Sequence, residues 1–304
     1  MYVNVQFILN IESMQSIRLT LSDVEEFSTP PDFTEIRVKI DKQNKFYNIY
    51  LYVLFNIYAI IEIVAENPCE IYKQAENLTY SCGCFVPTIF PFNINVFPVY
   101  QLLFLFEYIS SFHILIGGAY IMLLAYEIVL YIGSRMNHLC LILESIPNEG
   151  DENVQKQTMK HCIRYHQQIN RTINELTGLY KKVFAIHAIF TAVVFALQAK
   201  LASENVSSRI HIACWLIAIF LMCHSGQELT HIGETLGEKI MYMCKWYKLN
   251  TSLQKDLMLM LLHTQKPVIF PAGYFATLNY NLFITIVKTA YSYWTLIVNT
   301  QKDN

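Results

Sequence analysis

The sequence predicts an all-α polytopic membrane helix bundle with five visible spans, a cytoplasmic N-terminus and an extracellular C-terminus. Three observations carry this expectation. Of 304 residues, 54% are hydrophobic and only 15% charged, against roughly 45–50% and 25% in soluble domains. Five apolar runs approach or exceed the ~20 residues that a helix needs to cross a hydrocarbon core of about 30 Å. Lysine and arginine crowd every second connecting piece, as the retention of basic residues in the cytoplasm requires.

In chain order the runs are segment A, residues 46–65; B, 99–132; C, 179–199; D, 210–225; and E, 268–298. D is short and counts because its core "ACWLIAIFLMC" is uninterrupted. B would be about 51 Å long at 1.5 Å per residue, so it is expected to project beyond the bilayer at the end carrying Glu127 and His138. The start "MYVNVQFILNIESMQSIRLT" has no basic n-region and no small-residue cleavage site, so A is expected to direct insertion.

Fifteen Lys and Arg residues precede A or lie between B and C and between D and E, with Lys181 and Lys182 at the mouth of C, against four in the remaining connections and tail. This places the start of A in the cytoplasm and the C-terminus outside. Of four Asn-X-Ser/Thr sequons, Asn77 and Asn205 then fall outside, where glycosylation occurs, whereas Asn170 and Asn250 fall inside and are expected to stay bare. The chain divides into a cytoplasmic N-terminal segment, 1–45, a sensing set of membrane helices, 46–226, and an anchor region with the last helix, 227–304.

Eight cysteines and nine histidines set no metal site. Cys69, Cys82 and Cys84 share the outer A–B loop and allow one disulfide, most simply Cys69 with Cys82 or Cys84. A tetrahedral zinc site would need a second ligand pair that is absent. The histidine pairs lie five and seven residues apart, whereas ligands on one helix face sit three or four apart. No Gly-rich phosphate loop and no Ser/His/Asp grouping stands out, so neither a cofactor nor enzyme chemistry is expected. A net charge of -2 with scattered basic residues argues against nucleic acid as a partner.

Segment E is the informative one. On a helix started at Thr277, the residues Asn281, Thr285, Lys288, Ser292, Thr295 and Asn299 share with it one arc of about 80°. An intramembrane lysine marks a functional site by default. Two readings stay open from periodicity: interhelical hydrogen bonds that hold the bundle together, or a wall of an aqueous pathway shared by several subunits.

The stretch from Cys223 onward, with "CHSGQEL", "KWYKL", "TQKPVIFPAGYFATLNYNLF" and "IVKTAYSYWTLI", resembles the C-terminal third of insect odorant receptors. The A–B–C layout upstream fits as well. The likeness is to the divergent ligand-sensing subunits, since the coreceptor's long cytoplasmic insertion between B and C is absent here. It implies a seven-helix plan and assembly with the coreceptor into a heterotetrameric, odorant-gated, non-selective cation channel of olfactory neurons. The last helix of each subunit would line the pore, and by motif position Leu296, Asn299 and Thr300 fall where the family narrows it. Thr300 departs from the coreceptor's apolar residue, which helps to close the gate by dewetting. Two family helices precede A, so residues 1–45 are expected to be the end of the second helix and its linker, and the sequence to be N-terminally truncated.

Odorants are small and apolar, so their pocket needs aromatic and aliphatic walls. The family's pocket lies between its second, third, fourth and sixth helices. By depth this nominates Tyr58 and Ile61 of A, Phe104, Tyr108, Ser111 and Phe112 of B, and Cys214 and Trp215 of D. The partners implied are the coreceptor, a small apolar odorant and membrane lipid. A gustatory-type receptor would want a more polar pocket. A transporter or structural membrane protein would show internal repeats or helices broken at mid-membrane, and only Gly117-Gly118 interrupts B. A non-functional fragment is the remaining alternative.

Overall fold

The computed structural model describes residues 11–22, 27–64, 96–204 and 206–302. Seven α-helices occupy them: α1 (Ile11–Ser22), α2 (Phe33–Val64), α3 (Val99–Ser145), α4 (Glu152–Glu204), α5 (Val206–Met243), α6 (Thr251–Thr264) and α7 (Tyr280–Lys302). A two-stranded antiparallel hairpin, β1 (Pro271–Ala272) and β2 (Ala276–Thr277), separates α6 from α7.

Segments A to D all form helices, and each helix outruns its apolar run. α2 starts at Phe33, α3 continues to Ser145, α4 begins at Glu152 and α5 runs to Met243. These extensions have the one-sided pattern of soluble helices. On α4, Met159, Cys162, Tyr165, Ile169, Ile173, Leu176 and Tyr180 are buried at helical spacing, while Lys160, Arg164 and Arg171 lie between them outside the core. Asp151 Oδ1 accepts from Asn153 N at 2.8 Å and caps the start of α4. α3 continues past the apolar run of B to Ser145, and Glu127 and His138 on it are buried against neighbouring elements.

One large core joins the second half of α3 to α1, α4, α5, α6 and α7. Arg135 is its polar centre. Its guanidinium donates to the carbonyls of Leu21 at 2.7 Å and Phe27 at 3.0 Å, so a buried cation caps the end of α1. Beside it, Ser134 donates to Asp32 at 2.6 Å, and Phe27 stacks on Tyr165 with centroids 4.4 Å apart.

A second, smaller cluster forms where α2 meets the first half of α3: Phe55 and Ala59 with Tyr58, Phe104, Tyr108, Phe112 and Leu115. On the same two helices Ile49, Leu102 and Phe106 turn outward, as do Phe190 and Leu197 on α4, the arrangement of a surface that faces lipid. Among the described residues, three helices, α3, α4 and α5, have the length and composition to cross a membrane.

Segment E is corrected at its start. Residues 268–279 are not helical: Pro271 pairs with Thr277 and Ala272 with Ala276, and Gly273 makes the turn at φ +72°, a conformation that favours glycine. Thr277 therefore belongs to β2 and not to the helical stripe. Asn279 Oδ1 accepts from Leu282 N at 2.8 Å and caps α7, which explains a polar residue outside the stripe.

Candidate functional site

The face of α7 that packs on its own protomer carries Leu282, Phe283, Ile286 and Ala290, which join the large core. At 100° per residue this face lies roughly opposite the polar arc. Asn281, Thr285, Lys288 and Ser292 are exposed, Thr295 is half-buried and Leu296 is exposed. The hydroxyls do not reach across to other helices. Thr285 donates to Asn281 O at 2.8 Å, Ser292 to Lys288 O at 3.0 Å and Thr295 to Ser292 O at 2.9 Å. Folding a hydroxyl back on its own helix satisfies the donor while leaving its lone pairs outward. The side chains of Asn299 and Thr300, and residues Asn77 and Asn205 together with Cys69, Cys82 and Cys84, lie outside what the structure describes.

Of the residues nominated for an odorant, Tyr58, Phe104, Tyr108 and Phe112 come together in the α2–α3 cluster. Phe55, which the sequence reading missed, is its buried centre, with ring centroids 5.2 Å from Tyr108 and 5.3 Å from Phe112. The Tyr108 hydroxyl donates to Asn56 at 3.0 Å. Ile61 and Ser111 are half-buried on the same two helices. Cys214 and Trp215 sit on α5, and Trp215 packs against the large core. His211 joins the two groups, its ring 6.3 Å from Tyr58 and its Nε2 accepting from Trp215 Nε1 at 3.2 Å.

α5 therefore touches both regions. At one end it carries His211 and Trp215; two to three turns on, it holds the base of α7. Phe220 and His224 stack on Tyr280, and a Cβ at Gly226 would run into the backbone of Leu278. Only glycine permits that approach. Among the described residues no three His, Cys, Asp or Glu side chains come together to hold a metal.

This arrangement of helices has close counterparts. The sequence matches the family model "7tm Odorant receptor" over residues 5–291. The chain belongs to the 7tm odorant receptor family. As a family member it is 22% identical over 190 residues to odorant receptor 67c of Drosophila melanogaster, covering 60% of this chain and 46% of that protein. It is 21% identical over 154 residues to the odorant receptor coreceptor of Anopheles gambiae, covering 48% of this chain and 32% of that one. The solved structure of the insect olfactory receptor OR5 from Machilis hrabei superposes with a TM-score of 0.75 at 15% identity, covering 97% of this chain and 76% of that one. The same receptor in complex with eugenol gives a TM-score of 0.71 at 14% identity, covering 98% and 77%. The odorant receptor chain spans less than half the length of the first curated relatives it matches, 46%, 41% and 44%. Its relatives are receptors and not enzymes, and the fold is that of a multi-pass membrane protein.

Proposed function

We propose that this odorant receptor is a ligand-sensing subunit of an odorant-gated, non-selective cation channel in the plasma membrane of olfactory sensory neurons. It works in a heterotetramer with a coreceptor subunit, its N-terminus in the cytoplasm and its C-terminus outside, with Asn77 and Asn205 on the glycosylated side. The α7 face of Asn281, Thr285, Lys288, Ser292 and Thr295 lines the water-filled pathway, and Leu296, Asn299 and Thr300 form its narrow part. The observation that supports this most is that the stripe is left uncovered by its own protomer while its hydroxyls turn back on α7. A stripe meant for packing inside one subunit would be buried there.

The α2–α3 cluster with Ile61, Ser111, Cys214 and Trp215 supplies the odorant site. α5 then carries the consequence of binding to α7, because a ligand shifts a channel only by its difference in affinity for closed and open arrangements. Expression of the full chain with a coreceptor in oocytes tests the reading. Odorant-evoked currents carried by both sodium and potassium are expected; currents identical to those of the coreceptor alone refute it.

A further inference from the structure

The seam between α4 and α5 holds two buried polar atoms without a hydrogen-bond partner, on His187 and Gln198. In a membrane interior such atoms are costly, and each one in a folded protein calls for a cause. The hydrogen bonds around them show what kind of group is left over.

An indole N–H only donates, so His211 Nε2 accepts from Trp215 and the His211 proton must sit on Nδ1. Nδ1 is then a donor. The atom facing it at 3.0 Å is the amide nitrogen of Gln198, and two N–H groups cannot bond each other. Oxygen and nitrogen of an amide are told apart by their partners, so the amide is turned, with its oxygen accepting from His211 Nδ1. The turn puts the NH2 group in the buried position that has no partner. Trp215, His211 and Gln198 thus form a relay that ends in an unused donor, and the Tyr58 ring packs on its middle member, His211. On the other side of Trp215, His187 stacks on the indole at 5.3 Å and buries its own unpartnered Nε2.

We propose that the Gln198 amide N–H is the hydrogen-bond donor for the carbonyl oxygen of a small ketone, aldehyde or ester bound at this seam. The proposal rests on the reading of the chain as an odorant-binding subunit and names the chemical class it prefers. Trp215 and His211 are positioning residues: they fix which end of the amide faces the ligand.

The test compares 2-heptanone with 2-methyl-1-heptene, which replaces C=O by C=CH2 at the same size. Binding to the full chain in nanodiscs is read from Trp215 fluorescence with Trp246 and Trp294 replaced by Phe. The ketone is expected to bind on the order of tenfold more tightly, the effect of one buried hydrogen bond. Gln198→Leu should abolish the difference while leaving hydrocarbon binding unchanged, and Gln198→Met, checked for a monodisperse elution profile, guards against misfolding. His211→Phe, which frees the amide to turn, should reduce the preference. Equal binding of the two probes, the result if a water occupies the site, overturns the proposal, as does a ketone preference that survives both Gln198 variants or the absence of binding by either probe. Ketone-selective binding without any current under co-expression would leave this inference standing and refute the channel reading.

Discussion

The Tyr280 hydroxyl lies 2.8 Å from His224 Nδ1, tying the first turn of α7 to α5. The two rings are nearly parallel, with centroids 6.1 Å apart, and Phe220 stacks against both. If α5 transmits ligand binding to α7, this contact lies on the path. Tyr280→Phe removes the hydrogen bond, keeps the stack and should cost about 0.5–1.5 kcal/mol. The expected outcome is an odorant dose–response curve displaced by up to about tenfold with unchanged ion selectivity. An unshifted curve at normal surface expression would remove the contact from the coupling path.

Gly226 makes the same junction tight. Any Cβ there meets the Leu278 backbone, which cannot swing aside as a flexible side chain would. Gly226→Ala should destabilise the detergent-solubilised protein by about 1–3 kcal/mol, the usual cost of overpacking, seen as a lower midpoint in a thermal elution assay. Gly118, with nothing within 4 Å of its Cβ position, is the matched control and should tolerate alanine.

Arg135 serves three carbonyls, those of Leu21, Phe27 and Ser28, from inside the core. Replacement by leucine leaves the Leu21 and Phe27 carbonyls buried and unpaired, at a cost of at least ~2 kcal/mol. Lysine should rescue little, because one ammonium cannot reproduce the guanidinium fork. Proteolysis between α1 and α2 should become faster in both variants; wild-type resistance in Arg135→Lys would show that charge alone suffices.

His166 supplies a pH dependence. It lies on α4 ahead of the apolar run, and burial, followed by the nearby charge of His263, lowers its pKa from 6.5 to about 4. Asn170 Nδ2 is 3.1 Å from its Nε2, so the neutral ring accepts. The folded state then binds the proton less readily than the unfolded state. Its contribution to stability is complete above pH ~6.5 and declines as pH falls from there towards about 4. Thermal midpoints measured between pH 7.5 and 4.5 should fall, and His166→Gln should flatten that fall; an equal slope in the variant would assign it to other groups.

Segments B, C and D were legible because a run of apolar residues long enough to cross a bilayer seldom occurs outside membrane helices. Their extensions were not, since α4 before Leu179 and α5 after Ser225 bury one face and keep the other charged, a pattern that a search for continuous apolar residues passes over. The hairpin before α7 was hidden for the opposite reason: "FPAGYFAT" is apolar enough to read as membrane helix. Pro271, Gly273 and the cap Asn279 were its available signals. Aromatic residues of the α2–α3 cluster could be named by depth, but Phe55 and the His211 bridge depend on how helices distant in sequence cross. His211 and His224, whose spacing in sequence suggests no shared site, hold the α5 contacts.

The polar stripe of α7 is the core of the functional account, and cysteine accessibility tests it most directly. Single cysteines would be placed along α7 of the full chain, co-expressed with a coreceptor, and exposed during odorant application to a charged, water-soluble thiosulfonate that blocks current on reaction. Positions Asn281, Thr285, Lys288 and Ser292 should react and block, repeating about every 3.6 residues, while Leu282, Ile286 and Ala290 should not. Equal reactivity around the helix, or faster reaction on the Ile286 and Ala290 side, would contradict a pore-lining α7.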